Sequence, residues 1–458
     1  MSPTGPASAT GPVRAVPLRP PAAVRAQAAL PGMPASVPPP DVPLSFLAAS
    51  GAGLIGAGVT VALVAGRLVG DPTGDRAIAA VHMVMLSFLT TGVLGAVHQF
   101  GCVVGRRSLR SARAARVSLA LIVAGSWVLP AGFAAGANLV VAAAGALLGL
   151  GVLLAAWNLT GPLFGPARGV SIVGLRLSVA GLVTTAGFGV TYAFDRQAGE
   201  GWFALDPHVV LAHAHIGLIA WLGLTYVAVA EKLWPMFLLA HRPGRSPGDF
   251  AVWLIPPGVV GLVVGLMAGW RYVAVAASVV IAAGLAAHLA SFAGLLLRHR
   301  RRPPDLLHAF IVGSAVFLLT AMALAAVAGL APLDGAVRAR LASAEIAAVA
   351  AWIGLALIGH AHKVVPFICW GVLRKRGVAT THAGQPLLFT HLWDRRAGRL
   401  TLATASGGFA AVTSGLIAAS AAPVLAGGVL LAATGVIVSA NLGLGPIRAA
   451  RNQGEATA

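Results

Sequence analysis

The chain has 458 residues, 58% of them hydrophobic and only 10% charged, against about 25% charged in a typical soluble domain. A mean hydropathy of +0.86 is more apolar surface than one soluble core can hide, which excludes an ordinary soluble enzyme and a disordered chain. The 32 basic and 13 acidic residues give a formal charge of +19, which in a soluble protein would point to nucleic acid.

The placement of the basic residues argues otherwise. Arg106, Arg107, Arg110, Arg113 and Arg116 form one cluster and Arg298, Arg300, Arg301 and Arg302 another, each between apolar runs. There they set membrane orientation, so lipid is the expected surrounding and nucleic acid is not a partner. Cys102 and Cys369 both lie in apolar stretches, which argues against a disulfide scaffold or a structural zinc site.

Residues 1–42 are rich in Pro and Ala, with Arg14, Arg19 and Arg25 scattered among them. Such a segment buries too little apolar surface to offset its ordering entropy and reads as a disordered tail. Twelve apolar runs follow at about 43–69, 77–104, 115–135, 137–158, 172–194, 207–240, 250–269, 271–297, 307–331, 342–372, 400–421 and 424–446. Each is long enough to cross a hydrocarbon layer of about 30 Å as a helix. The turn between runs 3 and 4 is marked only by Gly132, Gly136 and Asn138, and runs 7 and 8 are divided by little more than Trp270 and Arg271. Residues 447–458 close the chain as a short tail. The expectation is an all-α membrane bundle of about twelve spans, residues 43–446.

Most arginines fall in connections 2–3, 4–5, 6–7, 8–9 and 10–11, the last holding Arg374, Lys375, Arg376, Arg395, Arg396 and Arg399. The opposite connections are short or carry acids, among them Asp71, Asp75, Asp195, Glu200 and Asp206. The positive-inside rule then puts both termini in the cytoplasm of a cell-membrane protein, which requires an even number of spans.

An internal repeat organises the runs. Run 6 contains Ala220-Trp221-Leu222-Gly223-Leu224 followed by Glu231-Lys232-Leu233-Trp234-Pro235, and run 10 contains Ala351-Trp352-Ile353-Gly354-Leu355 followed by His362-Lys363-Val364-Val365-Pro366, in one register without gaps. Run 2 joins more loosely, with His98-Gln99 opposite Glu231-Lys232 and His82 opposite His215. Runs 2, 6 and 10 therefore read as three copies around a pseudo-threefold axis.

Ionisable groups inside a span cost about 2.5–3.5 kcal/mol each on insertion scales, so their concentration in these three runs is informative. His82, His213 and His215 lie near the outer ends. His98, His360 and His362 lie about 16 residues further along, roughly 24 Å deeper at 1.5 Å per residue. Lys232 and Lys363 either snorkel to the headgroups or pair with an anion such as Glu231. Residues i and i+2 on a helix project about 200° apart, so neither His-Ala-His pair grips one ion; such a pair suits two flat cofactors on opposite faces. The inner layer holds either a second cofactor or a polar network. His241, His299, His382 and His391 fall in connections, and His288 and His308 stand isolated; these six read as structural.

Ala80-Val81-His82-Met83 opening run 2 and Leu211-Ala212-His213-Ala214-His215 opening run 6 resemble the catalytic subunit (subunit I) of heme–copper oxidases and nitric oxide reductases. That family has twelve helices, cytoplasmic termini and a pseudo-threefold plan. The resemblance implies a low-spin heme b held by His82 and His215, with His213 on a second heme. It departs from the family where the copper-site histidines should follow, because residues 250–269 contain none. The implied protein keeps heme without copper, and works in electron transfer or in oxygen or nitric oxide handling as a heme-dependent oxidoreductase with an electron-donor protein.

A proton-coupled secondary transporter using Glu231, Lys232 and the intramembrane histidines is the alternative of a different class. An accessory subunit or metal-delivery protein is a third.

Overall fold

The computed structural model describes residues 36–199, 201, 207–241, 244–300, 305–381 and 384–454. Most of the expected N-terminal tail (residues 1–35), Glu200, Asp206, Arg301, Arg302, His382 and residues 455–458 lie outside the described residues.

Among the described residues, twelve helices are long and apolar enough to cross a membrane: α1 Asp41–Leu63, α2 Asp75–Gly105, α3 Ala112–Ala135, α4 Asn138–Leu163, α5 Val170–Ala198, α6 His208–Phe237, α7 Pro247–Met267, α8 Arg271–Leu297, α9 Leu306–Leu330, α10 Gly335–Lys375, α11 Arg395–Ile417 and α12 Ala421–Ile447. The protein is an all-α, multi-pass bundle in which each expected run becomes one span. Outward-facing apolar side chains such as Leu150, Val260, Val279 and Val316 need a hydrocarbon surrounding.

Local chemistry sets the helix ends. Ser111, Asp334 and Asp394 accept from backbone N–H groups in the first turns of α3, α10 and α11, and Ser246 and Asp249 form a capping box at α7, satisfying donors that have no intrahelical partner. The two weak boundaries resolve at glycines. Gly136 (φ +65°) ends α3 and Gly269 (φ +68°) follows α7, a left-handed conformation that costs glycine nothing.

Two departures from the apolar runs stand out. The first run breaks at Val64, so that a short helix, Ala65–Gly70, follows α1. The tenth extends to 41 residues, about 60 Å at 1.5 Å per residue, and so projects beyond the hydrocarbon.

The threefold repeat is visible in the packing. The hairpins α3–α4, α7–α8 and α11–α12 pair within themselves, while α1 lies on α2, α5 on α6 and α9 on α10. The apolar windows of α2, α6 and α10 are 72%, 56% and 67% buried, against 28–44% for the other nine spans. The three repeat helices therefore form the centre.

Matching contacts recur at matching positions. Ser50 on α1 donates to the Phe88 carbonyl of α2 at 2.7 Å, and Ser314 on α9 donates to the Trp352 carbonyl of α10 at 2.7 Å. Phe46 stacks on His98 at 4.9 Å and 25°, Phe310 on His362 at 5.7 Å and 26°. Run 2, the loosest match in sequence, is thus a full member of the set.

Candidate functional site

The site at the end of the bundle opposite the arginine-rich connections begins with a backbone irregularity. α2 changes from α- to π-helix at Met83–Thr90, and α6 does so at Ile216–Gly223. Each π segment starts directly after a histidine, His82 or His215, at equivalent repeat positions. A π turn winds less tightly than an α turn and re-aims the residues that precede it. α10, whose equivalent positions carry no histidine, remains α-helical throughout.

The ring brought opposite His82 is that of His213, with centroids 6.4 Å apart and planes inclined at 20°. The resemblance implied a pairing of His82 with His215, whereas the ring contact of His82 is with His213. His213 and His215 project about 200° apart from one helix, so only one of them can face α2, and the fold turns His213 that way. His82 also stacks on Phe133 of α3 at 5.4 Å. Gly189 of α5 also lies against His213, where an added Cβ would come within 3.1 Å of the ring.

Hydrogen bonds decide which nitrogen is bare. Nδ1 of His82 lies 2.9 Å from the Ile78 carbonyl, and Nδ1 of His215 lies 2.8 Å from that of Leu211. A carbonyl only accepts, so Nδ1 donates and Nε2 keeps its lone pair. His213 differs: its backbone partner is Thr185 on α5, and its Nδ1 is buried without a partner.

Two imidazole nitrogens bound to one metal at about 2 Å each lie roughly 4 Å apart, which puts end-on ring centroids about 6 Å apart. The centroid spacing of 6.4 Å is of that length, with the two rings stacked rather than end-on.

Arg196 closes this end. It pairs with Asp75 at 2.6 Å, donates to Asn138 at 2.7 Å and covers the Phe133 ring at 5.5 Å, so α2, α3, α4 and α5 are tied together above the histidines.

At the arginine-rich end the equivalent positions hold His98, Glu231 and His362, all buried. Nδ1 of His98, His360 and His362 each faces the carbonyl four residues earlier, and each Nε2 is buried without a partner. Each ring packs on a different aromatic: His98 on Phe46, His360 on Phe237, and His362 on Phe310 and Trp393. The structure does not bring these three rings against one another as it does His82 and His213.

Glu231 has a shell that the sequence did not reveal. Its carboxylate lies 3.3 Å from Ser246 Oγ, 3.2 Å from Ser291 Oγ and 3.3 Å from His288 Nδ1. His288, read from sequence as isolated, therefore belongs to this cluster, and its three-residue spacing from Ser291 on α8 was the available signal. Lys363 pairs with Asp305 at 2.5 Å, and Asp305 also holds His308 at 2.6 Å, which corrects the reading of His308 as isolated. Lys232 is exposed, as snorkelling requires.

Among the described residues, no group of three or more His, Cys, Asp or Glu side chains converges as a metal ion would need. Cys102 and Cys369 are free thiols. The chain matches no protein-family model and no curated protein, so the chemistry of the site has to be read from its own geometry.

Proposed function

We propose that the chain is an integral membrane heme protein of b type that works in electron transfer or in handling oxygen or nitric oxide. The observation that carries this reading is the His82–His213 pair, two nearly parallel rings 6.4 Å apart on separate central helices. Support also comes from the bare nitrogens and the glycine beside His213. A heme held by two imidazoles supplies one-electron exchange, with a potential tuned by its surroundings. The residues contribute position and electrostatics. The Ile78 and Thr185 carbonyls orient the two rings, as hydrogen bonds to metal-ligating histidines do, and the Arg196–Asp75–Asn138 cluster closes the outer end.

The test is the visible spectrum of protein purified from heme-sufficient cells. A Soret band and a bis-histidine reduced spectrum are expected, both lost in His82→Ala and in His213→Ala and kept in His215→Ala. A colourless, folded wild-type protein refutes the reading.

A secondary transporter is the second reading, favoured by the buried Glu231 carboxylate. It expects proton-coupled uptake into vesicles that Glu231→Gln impairs.

A further inference from the structure

The connection between α1 and α2 lies at the end of the bundle away from the arginine-rich connections, yet it brings Arg67 and Arg76 together there. The break at Val64 (φ −106°, ψ 15°) turns the chain, so that the short helix Ala65–Gly70 buries Ala65 and Leu68 and leaves Gly66, Arg67 and Gly70 exposed. An open cleft of about 480 Å³ results, lined by Leu63, Gly66, Arg67, Gly70, Asp71 and Arg76. Ligand clefts measure about 300–1,000 Å³, so the space suits a small molecule or a headgroup. Gly66 and Gly70 form a bare wall, because a Cβ on either meets nothing within 4 Å.

The charges in this cleft are unspent. Asp75, the acid next to Arg76, is taken by Arg196 at 2.6 Å. The Asp71 carboxylate is folded against Gly74, where an added Cβ would overlap it. Among the described residues, the side chains of Arg67, Asp71 and Arg76 have no hydrogen-bond or ion-pair partner. An apolar strip leads away from the charges. Leu63 is 81% exposed, and Val59, one turn earlier on the same face of α1, is 45% exposed.

We infer that this cleft binds the headgroup of a phospholipid that carries a primary amine, of the phosphoethanolamine class. The guanidinium groups of Arg67 and Arg76 supply the N–H donors that a phosphate takes, and Asp71 accepts from the ammonium. The acyl chains lie along Leu63 and Val59, whose apolar surface needs such a cover. Each charge of the headgroup thus meets its opposite. A trimethylated amine has no N–H to give Asp71, and a glycerol headgroup has no positive charge to set against it, so the cleft separates lipids that share one phosphate. A soluble phosphate is a poorer occupant, because it leaves both Asp71 and the apolar strip without a partner. The site stands on α1, the short helix and α2, and does not depend on heme.

Native mass spectrometry of the full-length protein tests the proposal, with release from micelles that carry equal amounts of dioleoyl phosphatidylethanolamine, phosphatidylcholine and phosphatidylglycerol. The expected result is preferential retention of the ethanolamine lipid, lowered about 2- to 5-fold in Arg67→Ala and in Arg76→Ala, as for a partly exposed ion pair. Gly66→Phe keeps every charge and fills open space, so the fold accepts it and the preference is lost. Asp71→Asn keeps the phosphate donors and passes the preference to phosphatidylglycerol. Arg271→Ala, which removes an exposed arginine from the start of α8 at the same end of the bundle, changes nothing. A wild-type protein without headgroup preference overturns the proposal, as does a preference that survives both Gly66→Phe and the double substitution of Arg67 and Arg76. Displacement of the lipid by free phosphoethanolamine at equal concentration also overturns it. The readout needs no pigment, so this failure and the failure of the heme reading are separate results.

Discussion

Gly189→Ala probes the proposed heme site without changing either histidine. The new Cβ would stand 3.1 Å from Cε1 of His213, whereas carbon atoms pack best at about 3.5–4.0 Å. The ring, or α5, must therefore give way by about 0.4–0.9 Å. Metal–ligand distances hold to within about 0.2 Å, so a displacement of this size disturbs the bond in whichever direction the ring yields. Losing support of this kind around a metal ligand costs about 10- to 100-fold in affinity, which is about 1.4–2.8 kcal/mol. Gly187→Ala is the control. It lies two residues away on the same helix, and nothing is within 4 Å of its added Cβ. Both substitutions gain a similar helix-propensity term, about 0.5–1 kcal/mol, so the difference between them isolates the contact with His213. The assay is heme retained per protein through purification, followed by the rate of heme transfer to an apo-acceptor. If Gly189→Ala holds its pigment as firmly as Gly187→Ala, the placement of His213 in a heme site is wrong.

Two structural predictions follow from the same geometry. Burial pushes the Asp305 carboxyl up, but hydrogen bonds and charge from Lys363 and His308 outweigh it and leave it below the usual carboxylate range. A lowered native pKa means that this group's contribution is present above the unfolded value of about 3.9 and is lost as pH falls through the native value. Thermal melts in detergent should therefore lose stability on acidification below about pH 4. Asp305→Asn should cost about 1–3 kcal/mol at neutral pH through the lost cap and half-buried pair and flatten that acid slope; an unchanged slope refutes the assignment. Separately, Gly58 on α1 meets Gly428 and Ala432 of α12 so closely that a Cβ would overlap their backbone. Gly58→Val should cost about 1–3 kcal/mol or more by overpacking and reduce the monodisperse yield. Gly443→Val, with open space around it, should not, and equal yields refute the close crossing.

The sequence by itself determined the class, the number of spans and the central helices. Hydrocarbon demands long apolar helices, which composition alone reveals, and the Trp221/Trp352 and Lys232/Lys363 register marked two of the three repeat copies. The buried cost of charge likewise drew attention to His82, His213 and Glu231. What only the tertiary structure decided was direction. Two histidines two residues apart announce opposite faces, but which face meets α2 depends on how α6 is rotated against its neighbours. Ser246, Ser291, His288 and Gly248 reach Glu231 from other helices, from 15 to 60 positions along the chain, and no local pattern encodes such meetings. Period and polarity act along one helix, whereas a site is made where several helices cross.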